Sequence, residues 1–141
     1  MSELSDEVYT QITEISQFGE ALFETYNFES AILQYKKALN LVPTPKTNWE
    51  ASTWLYTAIG DCYFELKQYP KASNAFFDAL NCPDAQSNPF INLRLGECLF
   101  ELNDKEQASE YLMRAYMLEG KQIFDSEAEK YFNLIQEKFD L

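Results

Sequence analysis

Three acidic residues stand directly after three glycines: Glu20 after Gly19, Asp61 after Gly60 and Glu97 after Gly96. Three positions beyond each acid comes Phe23, Phe64 or Phe100, followed at once by Glu24, Glu65 or Glu101. Carboxylates beside aromatic rings are suited to holding cations. The carboxylates steer and pair with Lys or Arg, and the rings take aliphatic stems or stack on guanidinium. Other chemistry is poorly supplied. The chain has no His, which removes the commonest general base and metal ligand. No glycine-rich phosphate loop follows a strand. Cys62, Cys82 and Cys98 lack metal-ligand spacing and a His partner. The pairs Glu20/Glu24 and Glu97/Glu101 lie one helical turn apart and could touch a divalent cation, but they lack the loop carbonyls and third ligand type of such a site. The expectation is a protein that is not an enzyme and has no cofactor and no metal.

These residues belong to a longer repeat. Each phrase reads Gly, acid, small residue, bulky apolar, Phe, Glu. Ala31, Ala72 and Ala108 follow their glycines by twelve residues, and Ala38, Ala79 and Ala115 follow seven later. Tyr35, Phe76 and Leu112 sit between the alanines at helical spacing from both. A repeat of this length implies stacked helical units that share one continuous core.

Helical periodicity and turn residues place the elements. A first helix is expected over about 7–26 and a second over about 28–41, with Asn27 as its cap and Pro43 ending it. Thr47 and Glu50 have capping-box form, so a third helix is expected over about 48–66. It should be longer than the other units' first helices, with Trp49 and Trp54 in its extra turn. Pro70 suits the first turn of a fourth helix ending near Asn81. Asn88-Pro89 opens a fifth, to about Leu102. Asp104 and Gln107 cap a sixth, to about Leu118, with Gly120 as its stop. Ser126 and Glu129 have capping-box form before a seventh. There Ala128, Tyr131, Phe132, Ile135 and Phe139 make one apolar stripe, with Glu127, Glu129, Lys130, Glu137 and Lys138 off it. A terminal amphipathic helix of this kind caps the apolar end of a stack. No strand pattern, linker or second domain is visible.

Three helix pairs with Gly and Ala in these places resemble tetratricopeptide repeats, helix-turn-helix units of about 34 residues. The first unit supplies Gly19, Leu22, Ala31, Tyr35, Ala38 and Pro43. The second supplies Gly60, Tyr63, Ala72, Phe76, Ala79 and an early Pro83. The third supplies Gly96, Leu99, Ala108, Leu112 and Ala115, with Gly120 where Pro would stand. Gly60 follows Gly19 by 41 residues and Gly96 follows Gly60 by 36, so the connections between units are lengthened. The resemblance implies one all-α domain over 1–141, a right-handed solenoid with repeats at about 8–43, 48–84 and 88–120 and a capping helix at about 125–140. Asn88-Pro89-Phe90 and Gly96-Glu97-Cys98-Leu99 also resemble the small, acidic three-repeat chaperones of bacterial type III secretion.

The resemblance further implies a concave groove lined by the first helix of each pair, where the family binds peptides or protein segments. Glu20, Asp61 and Glu97 are then expected to face the groove, with Phe23, Phe64, Phe100, Glu24, Glu65 and Glu101 on or beside it. The first helices carry Glu14, Glu20, Glu24, Glu50, Asp61, Glu65, Glu97 and Glu101 against a single Arg94. The second helices are nearly balanced, with Glu29, Asp78, Glu106 and Glu110 against Lys36, Lys37, Lys71, Lys105 and Arg114. The acidic excess therefore sits on the groove side. The Phe row also reads as packing. Arg94 and Trp54 are further candidate contacts, Trp54 because indoles are enriched at binding hot spots, with the filling of a wider gap between units as the reading that weighs more for it. The family's clamp for acidic C-terminal peptides of heat-shock chaperones needs Lys, Arg and Asn where this chain has acids or apolar residues.

The overall balance agrees with that polarity. Eleven basic against twenty-three acidic residues give a net charge of −12, which argues against nucleic acid and anionic membrane as partners. No apolar run is long enough for a bilayer, and the acidic start, Met1 to Glu7, lacks the form of a signal peptide. A cytoplasmic protein with reduced cysteines is expected. The expected partner is a protein with a basic or amphipathic surface, as for an immunity protein neutralising a toxin domain. A secretion chaperone and an assembly adaptor are alternatives, and a metal-dependent enzyme is the alternative of another class.

Overall fold

The computed structural model describes residues 4–141. Met1, Ser2 and Glu3, part of the acidic start noted above, lie outside the described residues. The described residues form seven α-helices: α1 (Asp6–Glu24), α2 (Phe28–Asn40), α3 (Glu50–Glu65), α4 (Tyr69–Leu80), α5 (Pro89–Glu101), α6 (Lys105–Glu119) and α7 (Glu129–Phe139). They pack in sequence order as three pairs, α1/α2, α3/α4 and α5/α6, each stacked on the next, with α7 closing the end against α6. The architecture is the all-α solenoid with a capping helix read from the repeat.

The repeat phrase sets how the two helices of each pair meet. A Cβ added at Gly19, Gly60 or Gly96 would come within 2.9 Å of the Tyr35 ring, 2.9 Å of the Phe76 ring or 2.7 Å of Leu112 Cγ, respectively. Ala31, Ala38, Ala72, Ala79, Ala108 and Ala115 are fully buried on the facing helices. Small side chains allow close approach there, and the large residue between them fills the space the glycine leaves. Each pair turns through a left-handed residue at one repeat position: Tyr26 (φ 65°), Lys67 (φ 59°) and Asn103 (φ 66°). Cys62 and Cys98 are fully buried and Cys82 nearly so, all free thiols packing as small apolar groups.

Local signals held where a side chain could reach an unpaired backbone N–H. Asn88 Oδ1 accepts from Ile91 N at 3.1 Å and Asp104 Oδ1 from Gln107 N at 3.1 Å, and Ser5 Oγ, a cap the sequence reading did not name, accepts from Val8 N at 3.2 Å. Two expected capping boxes did not form. Thr47 lies in a 3₁₀ turn, Lys46–Asn48, so α3 starts at Glu50 with Trp49 as its uncapped N-terminal neighbour. Residues 121–124 make a second 3₁₀ turn, and α7 starts at Glu129 after Ala128 rather than near Ser126. Asn27 also makes no capping bond to α2; its amide donates to Thr25 instead. The longest helix is α1, with 19 residues against 16 in α3, and Trp49 lies outside α3. No described helix is long and apolar enough to cross a membrane.

Candidate functional site

Helical spacing puts Trp54, Ala58, Asp61 and Glu65 on one face of α3, and Phe90, Arg94, Glu97 and Glu101 on the matching face of α5. The three acids that follow the glycines are chemically equivalent in sequence but not in surroundings. Glu20 is exposed, Asp61 is half-buried and Glu97 is fully buried. The expectation that all three line an open groove therefore fails at Glu97. Arg94, one turn away on the same helix, and Glu127, from the chain just before α7, meet beside Glu97, whereas no cation pairs with Glu20 among the described residues.

Between the second and third units the cover is Arg94. Its Nε donates to Asp61 Oδ1 at 3.1 Å, and its Nη1 donates to Glu97 Oε1 at 2.8 Å and to Glu127 Oε1 at 2.5 Å. The guanidinium also lies over Phe64, 4.5 Å from the ring centroid, and 5.0 Å from that of Phe90. One cation thus meets three carboxyl groups and two ring faces. Burial alone would lower the Arg94 pKa, but Glu97, Asp61 and Glu127 outweigh it and raise it. Burial pushes the Glu97 carboxyl up to about 9, and the neighbouring Glu127 carboxyl acts in the same direction. Glu97 Oε2 is buried and makes no hydrogen bond among the described residues. Burial also raises Asp61, against the pull of Arg94.

The far end of the groove is closed by the capping helix. Tyr131 Oη donates to Glu101 Oε2 at 2.6 Å, and Lys130 Nζ lies 2.7 Å from the same oxygen. The Tyr131 ring packs edge-on against Phe100 at 5.3 Å. Burial acts to raise Glu101, but the bonds from Lys130 and Tyr131 prevail and hold its pKa below the usual range. Lys105 and Lys130 also stand over Phe100.

The near end is open. Between the first and second units lies a pocket of about 340 Å³ lined by Glu20, Phe23, Glu24, Tyr35, Ala58 and Asp61. Glu20, Glu24 and Glu65 make no ion pair among the described residues. Trp54, one turn before Ala58, is 39% exposed. Of the residues expected to bind a partner, Glu20, Glu24 and Asp61 come together in this pocket. Arg94, Asp61, Glu97 and Phe64 come together in the buried cluster, and Glu101 and Phe100 lie under α7. Arg94, read as part of a binding surface, is engaged within the chain.

Sequence reasoning missed Glu127, Phe90, Ala58 and Tyr131. Glu127 reads as a polar residue off the apolar stripe of the expected seventh helix; it lies in the turn before α7, and no local pattern shows that it faces Arg94. Ala58 could have been found by aligning the units on their glycines, since it stands two residues before Gly60 as Arg94 stands two before Gly96.

Residues 91–122 match the family model of the tetratricopeptide repeat, and the described residues share their fold with solved tetratricopeptide domains. The translocator chaperone SycD of Yersinia enterocolitica, solved with a peptide of the translocator YopD, is 14% identical with a TM-score of 0.72, covering 96% of this chain and 95% of that one. The C-terminal tetratricopeptide domain of a Plasmodium falciparum FK506-binding protein is 20% identical, TM-score 0.74, covering 98% and 93%. The second tetratricopeptide domain of human RPAP3, in complex with the HSP70 peptide SGPTIEEVD, is 15% identical, TM-score 0.71, covering 92% and 96%. No curated protein matches the chain.

Proposed function

We propose that this chain is a non-enzymatic protein-binding module whose acidic groove holds a basic or amphipathic segment of a partner protein. The observation that carries this reading is the open pocket between the first and second units, where Glu20, Glu24 and Asp61 meet Phe23 and Tyr35. The fold is one in which SycD and RPAP3 hold peptides of other proteins. The acidic RPAP3 ligand would be repelled by this groove, whose free carboxylates call for the opposite charge. The biological role that fits best is an immunity protein covering the basic surface of a toxin domain. The shape shared with SycD along 96% of the chain favours a secretion chaperone as the second reading.

The test is binding of a short amphipathic peptide rich in arginine and leucine, measured by calorimetry at several salt concentrations. Binding should weaken as salt rises. It should fall about tenfold in the double variant Glu20→Lys, Glu24→Lys, if each reversed charge removes roughly 0.7 kcal/mol of pairing. Both residues are exposed, so the variant keeps the fold. Binding that ignores both salt and the substitutions sinks the acidic-groove reading. Toxin inhibition at one-to-one stoichiometry would then support immunity. A partner that is insoluble when expressed alone would support the chaperone.

A further inference from the structure

Aligned on their glycines, the two junctions between units are built alike, and one residue differs decisively. At the second junction the acid after Gly60 (Asp61) and the acid after Gly96 (Glu97) both bond Arg94. The Phe four residues after Gly60 (Phe64) and the aromatic six before Gly96 (Phe90) present their rings to it. At the first junction the same positions hold Glu20 and Asp61 for the acids, Phe23 for the Phe and Trp54 for the second aromatic. Only the cation is absent, because Ala58 stands at the position of Arg94. The space opened by that short side chain belongs to the 340 Å³ pocket.

An independent feature of the pocket points the same way. Tyr35 lines it and is only 4% exposed, yet its hydroxyl has no hydrogen-bond partner among the described residues. The oxygen itself is not sealed from the pocket, so it can bond a group that enters there. Burial, with Cys62, Glu20, Asp61 and Glu24 nearby, raises its pKa, so it remains a neutral phenol and can accept an N–H.

Resting on the groove reading above, we infer that this pocket is a socket for the guanidinium of an arginine side chain on the partner protein, seated as Arg94 is seated in the neighbouring junction. Arginine suits it better than lysine. A planar guanidinium can bond Glu20 and Asp61 from different edges while a face meets Phe23, whereas an ammonium is a compact, strongly hydrated point charge. Asp61 stands between the two sites and already accepts from Arg94 with one oxygen, Oδ1.

The test uses the full chain labelled with ¹⁵N and titrated with N-acetyl-arginine amide, followed by amide chemical shifts. The socket predicts saturable shifts confined to the neighbourhood of Glu20, Phe23, Tyr35, Trp54 and Ala58. N-acetyl-lysine amide should bind about two- to fivefold more weakly, the range of a single exposed charge pair. Ala58→Arg should fill the socket from within, abolish the arginine shifts and raise the melting temperature. Glu20→Gln with Glu24→Gln, at exposed positions, provides a second arm if Ala58→Arg fails to fold, and should weaken arginine binding severalfold. Shifts that are scattered and unsaturable, an unchanged response in the folded Ala58→Arg variant, or displacement of arginine by millimolar Mg²⁺ would each overturn the socket. The arginine-leucine peptide separates the two readings. If it binds the native chain and Ala58→Arg equally while the amide shows nothing at the pocket, the socket fails and the groove stands. If it does not bind at all, both fail.

Discussion

The two junctions of this solenoid carry the same acids and aromatic positions, yet one is sealed and the other open. In the sealed junction Arg94 gathers Asp61, Glu97 and Glu127 and lies on Phe64 and Phe90. In the open one Ala58 leaves Glu20, Glu24 and the rim of Asp61 around a pocket. Repetition alone therefore does not decide whether an acidic row is a binding surface. A carboxylate is available to a partner only where the next unit along the stack supplies no cation of its own. In the sealed junction the charges contribute to how units two and three fit together, and removing one would leave others buried without compensation.

Substitution of Arg94 tests this contrast most strongly. Arg94→Ala leaves Asp61 and Glu127 without their cation and Glu97 Oε1 without its donor, and should cost about 3–5 kcal/mol in urea unfolding at pH 7. A loss below about 1 kcal/mol would mean that the sealed junction is not held by its charges. Glu97→Gln should act in the opposite direction. The folded carboxyl titrates at about 9 and the ordinary one at 4.5. The native chain therefore binds the extra proton in that window, and stability falls as pH rises from about 4.5 to about 9. Gln needs no proton, so the variant should be more stable by on the order of 2 kcal/mol at pH 7, with a flatter pH profile and no gain below pH 4.5. Thermal melts between pH 4 and 9 check it, and an unchanged profile would place the proton elsewhere.

Smaller effects separate the junctions through their glycines. Gly96→Ala brings a methyl to 2.7 Å from Leu112 Cγ and 3.0 Å from Leu112 N, neither a loose end. Overpacking of this kind should cost about 1–2 kcal/mol. Gly19→Ala meets only the Tyr35 ring, at 2.9–3.2 Å, and that ring borders the open pocket, so its melting temperature should fall less. Equal losses would show that the pocket gives the ring no room. The smallest effect belongs to Glu20→Lys with Glu24→Lys. These exposed, unpaired acids should change stability by less than about 0.5 kcal/mol, while the peptide binding described above drops.

Much of the fold is written in short-range patterns. The glycine phrase, the alanines at fixed distances and the residue between them specify close helix pairs because each contact lies within one unit. Caps at Asn88 and Asp104 could be read because a side chain three residues away satisfies the backbone. The Thr47 and Ser126 signals misled because the chain before α3 and α7 tightens into 3₁₀ turns, Lys46–Asn48 and Lys121–Phe124, and each helix starts later. At the groove, the sequence marked Glu20, Asp61 and Glu97 as one series. It could not rank their exposure, since that depends on side chains thirty or more residues away, Arg94 for Asp61 and Glu127 for Glu97.

By itself, the sequence determined that three helix pairs would stack, that acids would recur beside Phe on the first helix of each pair, and that glycine would bring the helices close. These follow from local periodicity and side-chain size. The tertiary structure decided which acids remain free. It set Arg94 against Asp61, brought Glu127 from the far end of the chain to complete that cluster, and laid Tyr131 over Glu101. Burial and charge neutralisation depend on what the next unit delivers, and that is known only once the units are stacked.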